Sequence, residues 1–371
     1  MTNNRYIGVM SGTSIDAIDI VLMEIFYDHS FAFLGGESFK FEKKLRKDIL
    51  EISRNGFGIS NADLKVIDQK LAHTYGESIN DFISKLEINK NDIVAVGLHG
   101  QTILHQPNAI NPMSLQIGDG QIVSDITGLT VIDDFRSADI KAGGQGAPLA
   151  PIFHSHFFRS TEENRAVINI GGISNISILK VNGNYSGYDI GPGNILLDSW
   201  FQKYKKGDYD SKGSWGKQGS VNDVLLKNFR QDSYFKKSFP KSTGTDYFNL
   251  RWIENNLQKT GKMIKPVDVQ ATLVELSALI ITEAINNDHS IKGVALCGGG
   301  MKNDFLVSRI KSKYQGPIFT SNQWGLEPQW IEAAGFAYLA YLRMMEKRLD
   351  LSQITGSKNK VMLGIIHLPS Q

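Results

Sequence analysis

Hydrophobic residues near the start of the chain form two short runs separated by a turn rich in glycine and serine. The runs cover residues 6–10 and 19–25. Apolar runs of this length, bounded by turn-forming residues, are typical of β-strands. The pattern therefore predicts a β-hairpin with a long connecting loop rather than a strand followed directly by a helix.

Helical periodicity appears further along. After Ser60, apolar residues recur at spacings of three and four as far as Phe82, and serine is a favourable residue at a helix start. Further helices are predicted at 120–126, 194–203, 246–258 and 267–286 and after Lys302 and Trp330, with a polar loop at 205–217. Further strands are predicted at 93–98, 114–117, 130–132, 166–170, 176–181 and 293–296. Strands that alternate with helices indicate an α/β fold.

The second half of the chain begins like the first. A strand at 166–170, a glycine turn and a strand at 176–181 repeat the arrangement at the N-terminus, which predicts an internal structural repeat. Between 133 and 151 the sequence loses periodicity and is rich in turn residues. We therefore predict two domains, 1–140 and 141–371.

The charge, the cysteine content and the hydropathy of the sequence exclude several classes of function. The 371 residues carry a net charge of +2 with no long block of like charge, which argues against a nucleic-acid partner. Cys297 is the single cysteine, and no apolar run follows a basic cluster at the start of the sequence, so we expect a cytoplasmic location. The apolar stretch 273–285 contains Glu275 and Glu283 and is too short to cross a bilayer.

Two glycine turns carry the first functional signal, Ser11-Gly12-Thr13-Ser14 and Gly171-Gly172-Ile173-Ser174. Consecutive backbone N–H groups in such turns can surround phosphate oxygens, and the Thr13 and Ser14 hydroxyls add donors. One such turn alone is typical of a simple tight hairpin. Two such turns in corresponding places favour a phosphate site. The sequence has no P-loop motif, so if the phosphates belong to ATP, a fold other than the P-loop fold must bind this nucleotide.

Two further features lie near these turns. The carboxylates of Asp16 and Asp19 would repel bound phosphate unless a divalent cation lay between carboxylate and phosphate, which predicts Mg²⁺. Either residue could instead cap a turn and face water. Gly298, Gly299 and Gly300 follow a predicted strand and would let a phosphate or a flat ring approach the backbone. Their spacing differs from that of the dinucleotide-binding fingerprint.

Taken together, the motifs resemble one family over nearly the whole chain. They are Gly8-Val9-Met10-Ser11-Gly12-Thr13-Ser14, His99-Gly100-Gln101-Thr102, Asp134-Phe135-Arg136-Ser137, Gly143-Gly144-Gln145-Gly146-Ala147-Pro148, Asn169-Ile170-Gly171-Gly172-Ile173-Ser174-Asn175, Asp189-Ile190-Gly191-Pro192-Gly193-Asn194 and Cys297-Gly298-Gly299-Gly300. The chain resembles the anhydro-N-acetylmuramic acid kinase family. One departure is Ala17, where the family usually has glycine.

The resemblance implies an α/β fold of two related actin-like (ribonuclease H-like) domains, with the nucleotide and the sugar in a cleft between them. It implies ATP-dependent conversion of 1,6-anhydro-N-acetylmuramic acid to N-acetylmuramic acid 6-phosphate in cell-wall recycling, with ATP and Mg²⁺, and a homodimer. The predicted ATP-binding residues are Gly12, Thr13, Ser14, Ile15, Asp16, Ala17, Ile18, Asp19, Gly171, Gly172, Gly298, Gly299 and Gly300, with Asp16 and Asp19 near the Mg²⁺ of the nucleotide. The predicted sugar-binding residues are His99, Gln101, Arg136, Ser174, Asn175, Gly191, Pro192, Gly193, Asn194 and Glu332.

An anhydro sugar has no free 6-hydroxyl, because O6 is bonded to C1. Water must attack C1 while O6 moves to phosphorus, and this requires a carboxylate base, as in an inverting glycosidase. Asp189, where the family's catalytic aspartate falls, is the predicted base, and the alternative is a helix cap.

Two other charged residues also have alternative readings. Arg136 could bind the lactyl carboxylate of the sugar or pair with Asp133, Asp134 or Asp139. Glu332, where the family places a sugar-binding glutamate, could instead stabilise a helix start. The spacing of the histidines predicts no transition-metal site.

Other functions share parts of this pattern. A kinase of an ordinary sugar hydroxyl would use Asp189 to deprotonate the acceptor, and an ATPase of the actin or chaperone type would use the same glycine turns to change conformation. A sugar-binding module without nucleotide would not need two phosphate turns. The nature of the product distinguishes these possibilities.

Overall fold

The computed structural model describes residues 4–12, 15–27, 30–55, 60–107, 109–244 and 246–370. The chain divides into two compact units. The first domain consists of Met1–His156 and Trp330–Gln371, and the second domain of Phe157–Gln329.

The first domain contains a mixed sheet, a separate hairpin and six of the helix assignments below. Its strands are β1 (Arg5–Ser11), β2 (Ala17–Ile25), β3 (Phe31–Lys40), β4 (Ile93–Leu98), β5 (Gln101–Gln106), β6 (Met113–Ile117), β7 (Val131–Asp133) and β13 (Ile365–His367). Its helices are α1 (Lys43–Asn55), α2 (Asn61–Lys85), α3 (Gly120–Thr127), α4 (Ser137–Lys141), α5 (Ala150–Phe158, which runs into the second domain) and α11 (Ile331–Met344). The strand order is β13-β7-β4-β1-β2-β3, while β5 and β6 pair only with each other among the described strands.

The second domain repeats this arrangement. Its strands are β8 (Asn164–Ile170), β9 (Ile173–Leu179), β10 (Tyr185–Pro192), β11 (Ile291–Cys297) and β12 (Ile318–Thr320). Its helices are α6 (Ile195–Tyr204), α7 (Asp223–Arg230), α8 (Leu250–Gln258), α9 (Pro266–Asn286) and α10 (Asp304–Lys313). The strand order is β10-β9-β8-β11-β12.

Corresponding strands pair in the same sense in both domains. The strand that opens each sheet, β1 or β8, is antiparallel to the next strand and parallel to β4 or β11. The predicted internal repeat and the predicted α/β fold of two actin-like domains are confirmed.

Helix α11 approaches the first sheet very closely. A Cβ atom on Gly8 of β1 would lie 1.8 Å from the Ala333 carbonyl oxygen, and one on Gly97 of β4 would lie 2.0 Å from that of Phe336. Side chains alternate along a strand, so Ile7 and Val9 face the opposite side, where they pack in a core with Tyr75 of α2. Glycine is therefore required where the helix backbone touches the strand.

This packing changes the domain assignment. The sequence predicted that residues 141–371 form the second domain, but the segment from Trp330 to the C-terminus lies in the first. Its helix covers β1 and β4, and β13 pairs with β7. The boundary after residue 140 also differs from the division at His156 and Phe157. The turn-rich segment 133–151 lies within the first domain, where the Gly146 amide and the Thr355 hydroxyl both donate hydrogen bonds to Asp139.

Most predicted helices and strands are confirmed within a few residues. Ser60 accepts a hydrogen bond from the Asp63 amide and caps α2, as predicted. Strand β3 was not predicted, because Gly35 and Gly36 interrupt its apolar pattern. The predicted sugar-binding residues Gly191 and Pro192 lie at the end of β10, and Gly193 follows it.

Helix α9 is the most apolar long segment. It lies in the core of the second domain, where the Glu275 carboxylate forms ion pairs with Arg309 at 2.7 Å and with Lys313 at 2.5 Å. Among the described helices, none combines the length and hydropathy needed to span a bilayer.

Acid should destabilise the first domain through its buried histidines. Burial lowers the pKa of His154 in α5 to about 3, whereas an unfolded histidine titrates near 6.5. Between these values the unfolded chain binds more protons, so the free energy of unfolding falls as the pH drops below about 6.5. We expect His154→Gln to reduce this loss, measured by urea unfolding at about pH 7 and about pH 4.5. His289→Gln, at an exposed site, should keep the full loss, and equal losses in both variants would contradict the assignment.

Candidate active site

The first glycine turn follows directly from β1. The Ile15 amide donates to the Gly12 carbonyl at 3.0 Å, which closes a tight turn, while Thr13 and Ser14 lie outside the described residues. Ile15 is fully buried and has φ of 53°, in the left-handed region that branched side chains rarely adopt. Strain of this kind persists only where surrounding contacts impose it, and it is frequent at ligand sites.

Arg46 of α1 holds this turn, a role that the sequence did not indicate. Its Nε donates to the Ile15 carbonyl at 2.9 Å and its Nη2 to Asp16 Oδ1 at 3.0 Å. Asp19 accepts a hydrogen bond from the Ser38 hydroxyl. Both carboxylates predicted near Mg²⁺ therefore have protein partners, and the described residues form no cluster of three or more metal-ligating side chains.

The residues on either side of the turn are fixed by the core. Ser11 Oγ lies 2.6 Å from the Tyr75 hydroxyl of α2, and burial raises the pKa of Tyr75, so its hydroxyl keeps its proton. Ala17 begins β2, and Ile18 pairs with Ser11 across the hairpin and is fully buried. The Ile18 side chain is therefore part of the core, and only its backbone could contact a nucleotide.

The structure brings two predicted sugar-binding residues together. Arg136 Nη2 lies 3.0 Å from His99 Nε2, and Arg136 Nη1 donates to the Gly146 carbonyl at 2.7 Å. The Gly146 amide in turn donates to Asp139 Oδ2 at 2.7 Å, and Thr355 Oγ1 donates to Asp139 Oδ1 at 2.7 Å. A braced loop thus fixes the guanidinium beside the imidazole.

This contact determines the tautomer of His99. Arginine can only donate, so Nε2 accepts and the proton lies on Nδ1, which has no partner among the described residues. Burial and the nearby Arg136 charge hold the pKa of His99 well below its usual range. His99 therefore presents a neutral N–H donor.

A polar cavity of about 350 Å³ adjoins this histidine. It is lined by Asp68, His99, Gly100, Ser114, Leu115, Gln116, Ile117, Gly118, Asp119, Asp133, Asp134, Ser137, Ile365 and His367. Gln101 begins β5, and its buried Oε1 has no partner in the described part of the chain. Glu332 is half-buried in the first turn of α11. It directly precedes Ala333, whose carbonyl oxygen approaches Gly8 of β1.

In the second domain, the second glycine turn is tied to the segment after β10. The Gly193 and Asn194 amides donate to the Gly172 and Gly171 carbonyls, both at 2.9 Å. A Cβ atom on Gly193 would lie 2.4 Å from the Gly171 oxygen, so only glycine permits this approach. The two family motifs that were interpreted separately, 171–175 and 189–194, therefore form one unit.

Asp189 lies in β10 beside a β-bulge and is 6% exposed. Its Oδ2 accepts from the Thr243 amide at 3.1 Å, its own amide donates to the Lys241 carbonyl at 3.1 Å, and its carbonyl accepts from the Tyr234 hydroxyl at 2.6 Å. The alternative that Asp189 caps a helix is wrong, because α6 begins only at Ile195.

Unpartnered polar atoms gather near Asp189. Asn175 faces Asp189 across β9 and β10, and Ser174 faces Gly191. Buried Ser174 Oγ, Asn175 Oδ1 and Ser242 Oγ have no hydrogen-bond partner among the residues that the structure describes. Buried polar atoms are normally satisfied, so several orphans beside one carboxylate indicate room for a polar ligand or water.

The third glycine cluster follows β11. Cβ atoms on Gly298 and Gly300 would lie 2.2 Å from Asn169 Oδ1 and Ile170 Cγ2, so close packing against β8 already requires glycine there. A Cβ on Gly299 would meet nothing within 4 Å. Of the three, Gly299 alone leaves open space for a ligand.

Comparison with known proteins gives the family. Residues 4–369 match the family described as anhydro-N-acetylmuramic acid kinase. The chain is 40% identical over 365 residues to the anhydro-N-acetylmuramic acid kinase of Pasteurella multocida, covering 98% of this chain and 96% of that protein. It is 38% identical over 373 residues to that of Saccharophagus degradans, covering 100% of both. The chain belongs to the anhydro-N-acetylmuramic acid kinase family.

Membership in the anhydro-N-acetylmuramic acid kinase family confirms the predicted family and enzyme class, a phosphotransferase with an alcohol group as acceptor. ATP use follows from the kinase family. Two basic residues beside the predicted site residues, Arg46 and Lys241, were not identified from the sequence. Neither residue lies in one of the motifs that carry the family resemblance, and its role is visible only where the fold places its side chain.

Proposed function

We propose that this enzyme converts 1,6-anhydro-N-acetylmuramic acid, ATP and water to N-acetylmuramic acid 6-phosphate and ADP, in a cytoplasmic step of cell-wall recycling. The observation that carries the proposal is the Asp189 carboxylate, buried in a bulged strand and surrounded by unpartnered polar atoms. Such a carboxylate is positioned to accept a proton from a single ordered water molecule.

In the proposed reaction, Asp189 removes a proton from water as the water oxygen bonds to C1 of the sugar. The bond between C1 and O6 breaks, and O6 takes its electron pair to the γ-phosphorus of ATP. The bond from that phosphorus to the β,γ-bridging oxygen breaks and releases ADP. No separate acid is needed, because phosphorus captures O6. Thr243 fixes Oδ2 of the base through its backbone amide.

The glycine turns at Gly12 and at Gly171 are the proposed holders of the ATP phosphates. Ile15, Asp16 and Ala17 complete the first turn, Gly172 the second, and Gly299 offers open space after β11. Arg46 places a guanidinium beside the first turn, where it can offset phosphate charge.

Magnesium is the proposed metal, bound as the ATP complex. The first turn has two carboxylates, Asp16 and Asp19, but Arg46 and Ser38 already bind them, so this donor set suits contact through water better than direct ligation. When bound, the ion neutralises part of the phosphate charge.

The proposed sugar site uses donors from the residues described above. His99 offers its Nδ1 proton to a sugar oxygen, and Arg136 presents a fixed positive charge suited to the lactyl carboxylate. Gln101, Ser174 and Asn175 have buried oxygens able to bind hydroxyl or amide groups. The other predicted contacts are Gly191, Pro192, Gly193, Asn194 and Glu332. A homodimer, implied by the resemblance, is part of this proposal.

Product analysis tests the function. The protein is incubated with ATP, Mg²⁺ and the anhydro sugar in ¹⁸O-labelled water, and the product is identified by mass spectrometry and phosphorus NMR. We expect a 6-phosphate with one label at C1. A 6-phosphate without label at C1 would exclude coupled ring opening, and phosphorylation only of ordinary sugars would favour the general sugar kinase. ATP hydrolysis that is independent of any sugar would favour the actin- or chaperone-like ATPase.

A further inference from the structure

Lys241 is a buried cation close to the proposed base. It lies in the loop that follows the 3₁₀ turn Ser233–Lys236, and it is only 9% exposed. Its Nζ donates to the Tyr234 carbonyl over 3.4 Å and lies 4.7 Å from the centre of the Tyr234 ring and 5.5 Å from that of Tyr188. One long hydrogen bond and two aromatic faces are weak compensation for burying an ammonium group.

The backbone around Lys241 is bound to the strand that carries Asp189. The Lys241 carbonyl accepts from the Asp189 amide at 3.1 Å, and two residues later the Thr243 amide donates to Asp189 Oδ2 at 3.1 Å. Tyr234, whose ring lies under the ammonium, donates its hydroxyl to the Asp189 carbonyl at 2.6 Å. The same short loop and the same tyrosine thus contact both Lys241 and Asp189, with the loop bound to the carboxylate and the tyrosine to the backbone carbonyl of Asp189.

The two charges interact. Burial lowers the pKa of Lys241, the negative charge of Asp189 opposes this shift, and the nearby positive charge of Lys237 adds to it. The attraction is mutual, so Lys241 favours the ionised form of Asp189. Burial and the charge of Asp189 also raise the pKa of the Tyr234 hydroxyl, so Tyr234 stays neutral.

Other charged groups on the neighbouring segments have their own partners or lie in solvent. On the 3₁₀ turn and after it, Lys236 and Lys237 are exposed. On β10, burial raises the pKa of Tyr188, and across the sheet the facing residue is the neutral Asn175. The carboxylates on the elements nearby are bound as follows: Asp232 by Tyr247 and Trp252, Asp268 by the Ser220 amide, Glu275 by Arg309 and Lys313, and Glu283 by Arg230.

We propose that Lys241 is a positioning residue for the reaction: its charge keeps the Asp189 carboxylate ionised, and its loop orients that carboxylate toward the attacking water. This inference rests on the proposed function of Asp189 as the base. Lys241 itself exchanges no proton with substrate. If Lys241 only filled space, an uncharged side chain of similar length could replace it without changing the pH dependence of kcat. The two roles therefore predict different pH profiles for such a variant.

The test compares Lys241→Met and Lys241→Arg with the wild-type enzyme, using full-length protein, ATP, Mg²⁺ and the anhydro sugar across pH. We expect Lys241→Met to move the acidic limb of the kcat profile about one pH unit higher, which lowers kcat by up to about 10-fold on that limb, and to leave KM for ATP nearly unchanged. Lys241→Arg keeps the charge and should restore the position of the acidic limb.

Lys237→Met is the matched control. Its ammonium lies 5.7 Å from the same Tyr234 ring, but the residue is exposed. We expect this control to keep the wild-type acidic limb. Identical acidic limbs in wild type and Lys241→Met would overturn the proposal, as would a shift of equal size in Lys241→Arg.

Two further measurements distinguish a loss of folding from a loss of catalytic function in these variants. Thermal unfolding and ATP binding are measured for each variant, and if Lys241→Met is unstable, the comparison uses Lys241→Gln, for which the same shift is expected. A wild-type enzyme that forms no labelled 6-phosphate would contradict the proposed function as a whole. An active wild type with unaffected Lys241 variants would contradict only the role of Lys241.

Discussion

Replacing Asp189 by asparagine should lower kcat by about 10³-fold or more while both substrates still bind. Asparagine has the same shape and can accept the Thr243 amide hydrogen bond, but it cannot take a proton from water. General bases typically contribute about 10²- to 10⁴-fold to a rate, and Asp189 lies on the strand that faces Ser174 and Asn175, whose side-chain oxygens have no partner among the described residues. Steady-state kinetics measures kcat, and calorimetry measures ATP binding.

The control for this variant is Asp223→Asn, the same substitution at an exposed position in the first turn of α7. It should keep wild-type kcat. If Asp189→Asn retained near-normal kcat with normal ATP binding, Asp189 would not be the base. If it lost ATP binding as well, the variant would have disturbed the loop rather than the chemistry.

Gly8→Ala should destabilise the protein by about 3 kcal/mol, the upper part of the usual range for overpacking. The added Cβ would lie 1.8 Å from the Ala333 carbonyl and 2.7 Å from the Ala337 amide nitrogen, and both contacts are backbone atoms that no side-chain rotation can relieve. The variant can fold only if α11 moves away from β1. Urea unfolding measures the loss.

Gly35→Ala is the matched control on β3 of the same sheet. There the new Cβ would approach only the flexible Leu86 side chain, at 3.2 Å. Little change in stability is expected, because alanine also loses less backbone entropy than glycine on folding. Equal stability of the two variants would contradict the proposed role of the Gly8 contact.

The sequence predicted elements best where one pattern runs without interruption. The helix from Ser60 and the hairpin of β1 and β2 have regular apolar spacing, and both formed as expected. Strand β3 was missed because Gly35 and Gly36 interrupt its apolar residues. The domain membership of α11 was also missed, since it depends on a contact between residues more than three hundred positions apart.

Some residues of the candidate site could also be predicted from the sequence, and others could not. Motifs that contain runs of glycine with polar residues directed attention to Gly12, Gly171 and Asp189. The joining of segments 171–175 and 189–194 through backbone hydrogen bonds has no local signature. Lys241 was missed because it lies in a polar loop, and only the folded chain brings its ammonium over the rings of Tyr188 and Tyr234.

The order of the chain also bears on how the protein folds during its synthesis. The second domain is one continuous segment, whereas the first is completed by residues from Trp330 onward. On the ribosome, β1 and β4 emerge early, but the helix that covers Gly8 and Gly97 is among the last segments to be made. The nascent chain therefore has to keep an uncovered sheet face while the middle of the protein folds, and during this interval it is most exposed to aggregation and most dependent on chaperones.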